Sequence, residues 1–486
     1  MPITPCEAQI SQLQQFRQQL YELFPYSHDS LMDLLDALSG NTTAASPVEL
    51  CEHPLFRRGY SALYKAIVQF CKPGKPESAW EEKKLFQQSL LKALAPLIPA
   101  PTERKFHLFG LDTTPIPRPF AKTLEDRAYI HQPNIIKGNK PINIGHLYSL
   151  FSFLPERHQT PHIPWSIPLS GQRVPADSNP VAVGLEQIDT VLDYCPIFPH
   201  NQLSVLAADS YYSQRQFLNA LLSKPNAVIV TRARSNRVFY RQPELVEAVT
   251  VQRGHRRWYG ERFDLKDEAT WHSTDEIVET SFTTRRGRNL HLTITCWHQM
   301  LMRGTKEYPM HQHPFTLLRV QVTDETGKRL WCPMWLIVMG QRRHELTPLD
   351  LTHAYRQRFD MEHMLRFGKQ RLLMGSFQTP DVEHEENWMQ LTLLAYVQLW
   401  AARELVDNLP RPWEKYYHSK NHNSITPSRV QRDFYRIIRQ IGTPAVSPKP
   451  RGFSTGRIPG NLREKRKRHP VIKKGKKIKS STQTVA

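Results

Sequence analysis

The chain has 486 residues, 40% hydrophobic and 23% charged, enough to bury a sizeable core in about two to four domains. Lysine and arginine number 65 against 45 acidic residues, a net charge of +20, which points to a polyanionic partner, with nucleic acid commoner than a membrane surface in that role. The six cysteines, Cys6, Cys51, Cys71, Cys195, Cys296 and Cys332, form no C-x-x-C pair, which argues against a zinc ribbon or a disulfide framework and favours a reducing compartment.

Residues 1–100 read as a helical domain. Ile10, Leu13, Phe16, Leu20 and Phe24 recur at helical spacing, as do Leu31, Leu34, Leu35 and Leu38. Ser46-Pro47-Val48-Glu49 has the form of a capping box with proline at the first helical position. This domain suits DNA binding or plain packing equally well. The opening MPITPCEAQISQLQQF lacks the basic and apolar regions of a signal peptide, and no run of about 18 apolar residues predicts a membrane span.

After a linker-like PLIPAPTERK comes FHLFGLDTT, an apolar strand predicted to end at Asp112. INIGHLYSLFSF reads as a second strand, and HIPWSIPLSG as a third weakened by Pro164 and Pro168. Asn179-Pro180 opens a helix. LSVLAADS is a buried strand ending at Asp209, and AVIVTR a further strand. Strands in a run, then alternating with helices, predict an α/β core with a mixed sheet over 105–234. Residues 235–345 turn β-rich and hold five of the ten tryptophans, which reads as an insertion in that core. The core resumes over 346–408. Thr347-Pro348-Leu349-Asp350 caps a long helix predicted to run to about Gly375, and a buried helix follows at 388–406. Residues 409–444 form a C-terminal helical segment, and 445–486 a basic tail, disordered on its own and suited to phosphate contact.

The chemistry concentrates in Tyr355–Lys369, YRQRFDMEHMLRFGK. On a single helix, Tyr355, Arg358, Glu362 and Lys369 share a stripe roughly 60° wide. A phenol, two cations and a carboxylate thus stand where an amphipathic helix presents leucine. Phosphodiester cleavage needs charge neutralisation at the attacking and leaving oxygens, and carboxylates holding divalent cations supply it. Asp112 and Asp209 at strand ends and Glu362 on a helix are the candidate set. Each has a commonplace reading: an aspartate ending a strand is usually a turn or cap residue, and a glutamate four residues after an arginine is usually a surface ion pair. Their occurrence together, in order, in a strongly basic chain changes the balance. No G-x-x-x-x-G-K-[ST] and no G-x-S-x-G motif is present, so a nucleotide-driven motor and a serine hydrolase find no support. His311-x-His313 lacks further zinc ligands at a telling spacing, and the acids Asp381, Glu383, Glu385 and Glu386 suit a helix N-terminus.

Tyr355-x2-Arg358-x3-Glu362-x6-Lys369 resembles the Y-R-E-K signature of the IS4-like DDE transposases. GLDTT resembles that superfamily's first aspartate motif and LAADSYYS the second, although the family commonly has Gly or Arg-Gly where this chain has Ser210-Tyr211. The resemblance covers roughly residues 105–405. It implies an RNase H-like core, two Mg²⁺ ions (with Mn²⁺ able to substitute) on Asp112, Asp209 and Glu362, and phosphate contacts from Tyr355, Arg358 and Lys369. It implies cleavage at transposon ends, transfer of the freed 3′-OH into target DNA, and a homodimer on paired terminal inverted repeats. It places the protein on the nucleoid in a bacterial cytoplasm, without a membrane partner. In related enzymes a tryptophan of the insertion stabilises a flipped base, for which Trp258, Trp271 and Trp297 are the candidates here. Two other readings remain open: a catalytically idle or co-opted DNA-binding descendant, and an RNase H-like nuclease that cuts without joining.

Overall fold

The computed structural model describes residues 5–74, 77–132, 141–157, 163–198, 201–243, 257–284, 287–411, 425–449 and 466–472. Four helices come first: α1 (Pro5–Leu23), α2 (His28–Ser39), α3 (Tyr60–Gln69) and α4 (Ala79–Leu94). Ser46-Pro47-Val48-Glu49 opens a 3-10 turn, Pro47–Glu52, rather than an α-helix. Ser46 Oγ donates to Glu49 Oε1 at 2.6 Å, so the two side chains satisfy each other and not the first-turn N–H groups.

The next stretch comprises β1 (His107–Pro117), β2 (Ala128–His131), β3 (Ile142–Phe153), β4 (Ile167–Val174), α5 (Pro180–Tyr194), β5 (Ser204–Ala208), α6 (Arg215–Leu221) and β6 (Ala227–Arg232). Asn179 caps α5, its side chain accepting from the N–H groups of Val181 and Ala182. Five of these strands lie in the order β4-β3-β1-β5-β6. β3 runs antiparallel to both neighbours, while β1, β5 and β6 are mutually parallel. This mixed sheet with helices is the RNase H-like α/β architecture expected of the chain. All five residues of β5 are buried, as a parallel strand covered on both faces must be. Pro168 is accommodated because β4 pairs with β3 alone among the described strands, across a register shift at Phe151/Ser152.

Residues 235–345 supply β7 (Val238–Tyr240), β8 (Arg262–Asp264), β9 (Glu276–Thr283), β10 (Asn289–Met302), β11 (Phe315–Asp324) and β12 (Met334–Met339). These strands do not form a sheet of their own. β12 pairs antiparallel with β6, and β11 and β10 follow in turn, so the central sheet grows to twelve strands. Trp271, Trp297 and Trp335 pack with Phe263, the Trp271–Trp335 and Trp297–Trp335 ring centroids 5.1 and 5.6 Å apart. Part of the strand-like stretch expected near 249–260 lies outside the described residues.

Then come α7 (Pro348–Gln357), α8 (Phe359–Arg371), α9 (Val382–Ala402), α10 (Leu405–Asn408) and α11 (Pro427–Ile441). Thr347 and Asp350 form the expected reciprocal capping box on α7. α9 is buried on nearly every face because it lies between β4 and the N-terminal helices. Arg17 of α1 reaches both Asp36 of α2 and Gln398 of α9 in a fully buried cluster. At its other end, Glu385 is buried and accepts from Arg118 Nε at 2.8 Å and Tyr148 Oη at 3.0 Å, with His146 Nδ1 at 2.8 Å. Burial alone would raise this carboxyl; the His146 hydrogen bond and the Arg118 charge hold it below the usual carboxylate range. Glu385 thus ties α9 to β1 and β3, a stronger structural role than the helix-dipole position read from sequence. The basic tail is described at 445–449 and 466–472, and the rest of 445–486 lies outside the described residues.

Candidate active site

The site is set by strand register. β1 and β5 are parallel neighbours paired through Leu111↔Ala208, so Asp112 and Asp209 are the next residues on adjacent strands about 4.8 Å apart. Asp112 does not end its strand, as the apolar run suggested. β1 continues to Pro117 because β3 is long enough to pair with it from Asp112↔Leu150 to Pro117↔Gly145. Asp209 does end its strand, capping the 3-10 turn Ser210–Tyr212 by accepting from Tyr211 N–H at 2.8 Å. The unusual residues after Asp209 fit for a local reason. Tyr212 is buried against α5, where a Cβ on Gly184 would stand 3.3 Å from its ring and 2.8 Å from Leu111. Glycine there lets the helix settle onto both.

Glu362 arrives by a second close approach. A Cβ on Gly110 would lie 2.2 Å from the Met361 sulfur, so the missing side chain lets α8 cross β1 two residues before Asp112. Tyr355–Lys369 is not one continuous helix. It breaks at Arg358, where Arg358 N–H bonds to Tyr355 O at 3.2 Å and Met361 N–H to Arg358 O at 3.0 Å, the tighter i→i−3 pattern. α8 ends at Arg371, short of the predicted Gly375, with Leu373 at φ 55° beyond it.

The break aims Arg358 into the site. Its Nη1 donates to Asp112 Oδ2 at 2.6 Å and its Nη2 to Glu362 Oε1 at 3.0 Å, so one guanidinium bridges two carboxylates. Its buried Nε has no hydrogen-bond acceptor among the described residues. Tyr355 lies buried beneath, with the guanidinium 5.8 Å from its ring centroid. Lys369 Nζ donates to Pro115 O at 3.1 Å, farther along β1. Burial pushes the Asp112 carboxyl up to about 6; Arg358 and the Thr113 N–H oppose this, while Asp209 and Glu362 add to it. Burial lowers Lys369, with Asp112 close enough to act against it. Of the other five residues singled out in the sequence, Asp209, Arg358, Glu362 and Lys369 therefore act on Asp112, and Tyr355 joins them through Arg358.

Sequence reading missed an arginine rim. Arg232, exposed at the end of β6, is near enough to Tyr355 to favour its phenolate, although burial raises that phenol overall. Arg237 donates to Ser213 O at 3.1 Å, and burial together with Arg215 and Arg234 depresses it. The signal was TRARSNR, three arginines directly after a core strand. Of the candidate tryptophans, Trp297 is buried, Trp271 donates to Asp264 O at 2.8 Å, and Trp258 is 40% exposed with its ring edge-on to His311 at 3.8 Å.

One family, described as DDE superfamily endonuclease, matches residues 19–303, more than half of the chain. The chain belongs to this family. The matched stretch contains Asp112 and Asp209 and stops before Glu362. No curated protein matches the chain. DDE endonucleases act on DNA with divalent metal ions, and the donor chemistry of this site fits them: hard carboxylate oxygens, with Asp209 and Glu362 close enough to raise the proton affinity of Asp112. Among the described residues no group of three His, Cys, Asp or Glu is drawn together as a finished metal cage. Arg358 lies between Asp112 and Glu362, its guanidinium bonded to both carboxylates. No helix among the described residues is long and apolar enough to cross a membrane.

Proposed function

We propose that this DDE endonuclease is an insertion-sequence transposase of the IS4-like type, cleaving DNA at the element's ends and transferring the freed 3′-OH into target DNA. The observation that carries the reading is the meeting of Asp112, Glu362 and Tyr355 around Arg358, with Asp209 and Lys369 near Asp112. Asp112, Asp209 and Glu362 would hold the metal, two Mg²⁺ ions on this reading with Mn²⁺ as a substitute. Bound there, the metal supplies charge neutralisation at the attacking and leaving oxygens. Arg358 has an Nε–H without an acceptor among the described residues and a planar fork suited to phosphate, so a DNA phosphate can draw it off the carboxylates. Tyr355 supports that guanidinium from below, Lys369 adds a point charge, and Arg232 extends the cationic wall. The partners are then the terminal inverted repeats, target DNA and a second copy of the chain on the paired ends, on the nucleoid in a bacterial cytoplasm.

A joining assay separates this reading from a nuclease that only cuts. Pre-cleaved duplexes carrying the element's own terminal repeats, located in the DNA flanking the gene, are offered with Mg²⁺ and a supercoiled plasmid. Covalent joining to the plasmid is the expected result. Cleavage of intact ends without any joining would reduce the protein to a nuclease.

A further inference from the structure

The edge strand β2 carries an unexpected partner. Residues 466–472 of the C-terminal tail lie beside the turn before it and meet its first residue, Ala128. His469 N–H bonds to Lys122 O at 3.1 Å, Ile472 N–H bonds to Arg127 O at 2.8 Å, and Ile472 forms a parallel bridge with Ala128. Side chains reinforce the strand at two places. His469 Nε2 stands 3.0 Å from Glu125 Oε1, and Arg466 Nη1 donates to Asp381 Oδ1 at 2.7 Å. Val471 and Ile472 are half-buried, whereas Arg466, Lys467 and Arg468 are exposed. A strand that merely covers a sheet edge has no need of three consecutive exposed cations, although charge does discourage edge-to-edge pairing.

The position of this strand is informative. Ala128 pairs with Gly145, which pairs with Pro117, so the docked segment lies five residues beyond Asp112 in the β1 direction and three strand spacings to the side, about 22 Å away. Lys369, bonded at Pro115, falls between them. The turn before β2 also exposes Lys122 and Phe120, the latter 91% exposed. Cations with an interleaved exposed aromatic form a surface for a nucleic-acid backbone and its sugars or bases. At about 3.4 Å per phosphate along a strand, the docked residues stand roughly six or seven nucleotides from the reacting position.

We propose that residues 466–472, docked at the start of β2 and the turn before it, form a sequence-independent DNA-backbone clamp with Lys122 and Phe120, gripping the duplex about six or seven nucleotides from the site of cleavage. This rests on the DNA reading of the active site but is tested separately from it, by binding without metal.

The test uses the full chain, EDTA and a fluorescent 30-bp duplex, with anisotropy measured across a salt series. His469→Pro with Ile472→Pro removes the docking N–H groups while keeping every lysine and arginine. Lys467→Ser with Arg468→Ser removes exposed charge while keeping the backbone and the Arg466–Asp381 ion pair. The charge variant is expected to flatten the log-affinity against log-salt slope by about 0.9 per lost phosphate contact. The docking variant is expected to lose at least half of the same slope, with increased tryptic cleavage at 466–468 reporting release of the strand. Phe120→Ala is expected to weaken binding without changing the slope. Two results would overturn the clamp. In one, the docking variant releases the strand yet binds like wild type while the charge variant weakens, which makes the tail a free polyelectrolyte. In the other, both bind like wild type, which leaves the strand an edge cover. Loss of plasmid cleavage with duplex binding intact would instead bear on the catalytic reading alone.

Discussion

Arg358 is the residue on which the site turns, because it satisfies Asp112 and Glu362 at once. A charge-assisted hydrogen bond contributes about 1.5 kcal/mol, so replacing this guanidinium has opposite effects on two ligands. Arg358→Gln is expected to tighten Mn²⁺ binding to the DNA-free protein by about tenfold and to weaken binding of duplex DNA. Calorimetric titration with Mn²⁺ checks the first effect, and an unchanged metal affinity would mean that Arg358 does not compete with the cation. Asp112 makes a pH prediction. Its folded-state value, about 6, lies above the ordinary 3.8. Between these values the folded protein holds a proton that the unfolded chain has released, so this group's contribution to stability falls as pH rises from about 4 to 6 and is level above that. Urea denaturation in EDTA over this window should show a steeper fall for wild type than for Asp112→Asn; equal slopes would remove Asp112 as the source. The identities of these residues were legible in the sequence because the motif carries unusual residue types at fixed spacing. The Arg358–Glu362 half of the bridge is an ordinary i,i+4 pair; the half to Asp112 was not legible, since it joins residues 246 apart on different elements.

Among the elements, β1 and α8 decide whether the carboxylates meet. Gly110 is the contact point, with room for a hydrogen but not a side chain under Met361. Gly110→Val should destabilise the fold by about 1–3 kcal/mol, the usual cost of overpacking, and abolish cleavage by lifting α8 and Glu362 off the strand. Chemical denaturation and a cleavage assay check both; a stable, fully active variant would show that α8 does not need this approach. Most helices and core strands could be read from sequence, because apolar periodicity and the caps at Asn179, Thr347 and Thr426 are local signals. What escaped the sequence was long-range. The length of β1 beyond Asp112 is set by pairing with β3, the short β2 has too few residues for a periodicity, and nothing local says that β12 should pair with β6.

At the scale of the whole molecule, distant segments share one interior. Helices from the first hundred residues are locked to α9 through Arg17, whose guanidinium meets Asp36 and Gln398 out of solvent. Arg17→Ala leaves a buried carboxylate without its cation and should cost about 3–5 kcal/mol; a midpoint shift in urea checks this, and a loss below about 1 kcal/mol would show that water reaches Asp36. The same long reach builds the site, since Asp112, Asp209 and Glu362 come from β1, the end of β5 and α8, with the β7–β12 strands threaded between the second and third. The family match covers the first two, and the account assigns the third. The most direct test is Mg²⁺-dependent strand cleavage of duplexes bearing the element's terminal repeats, by wild type and by Glu362→Gln. The expected result is at least about a thousandfold loss of cleavage in the variant with duplex affinity within about twofold of wild type, because a ligand of the charge-neutralising metal is removed. Undiminished cleavage by Glu362→Gln would contradict it.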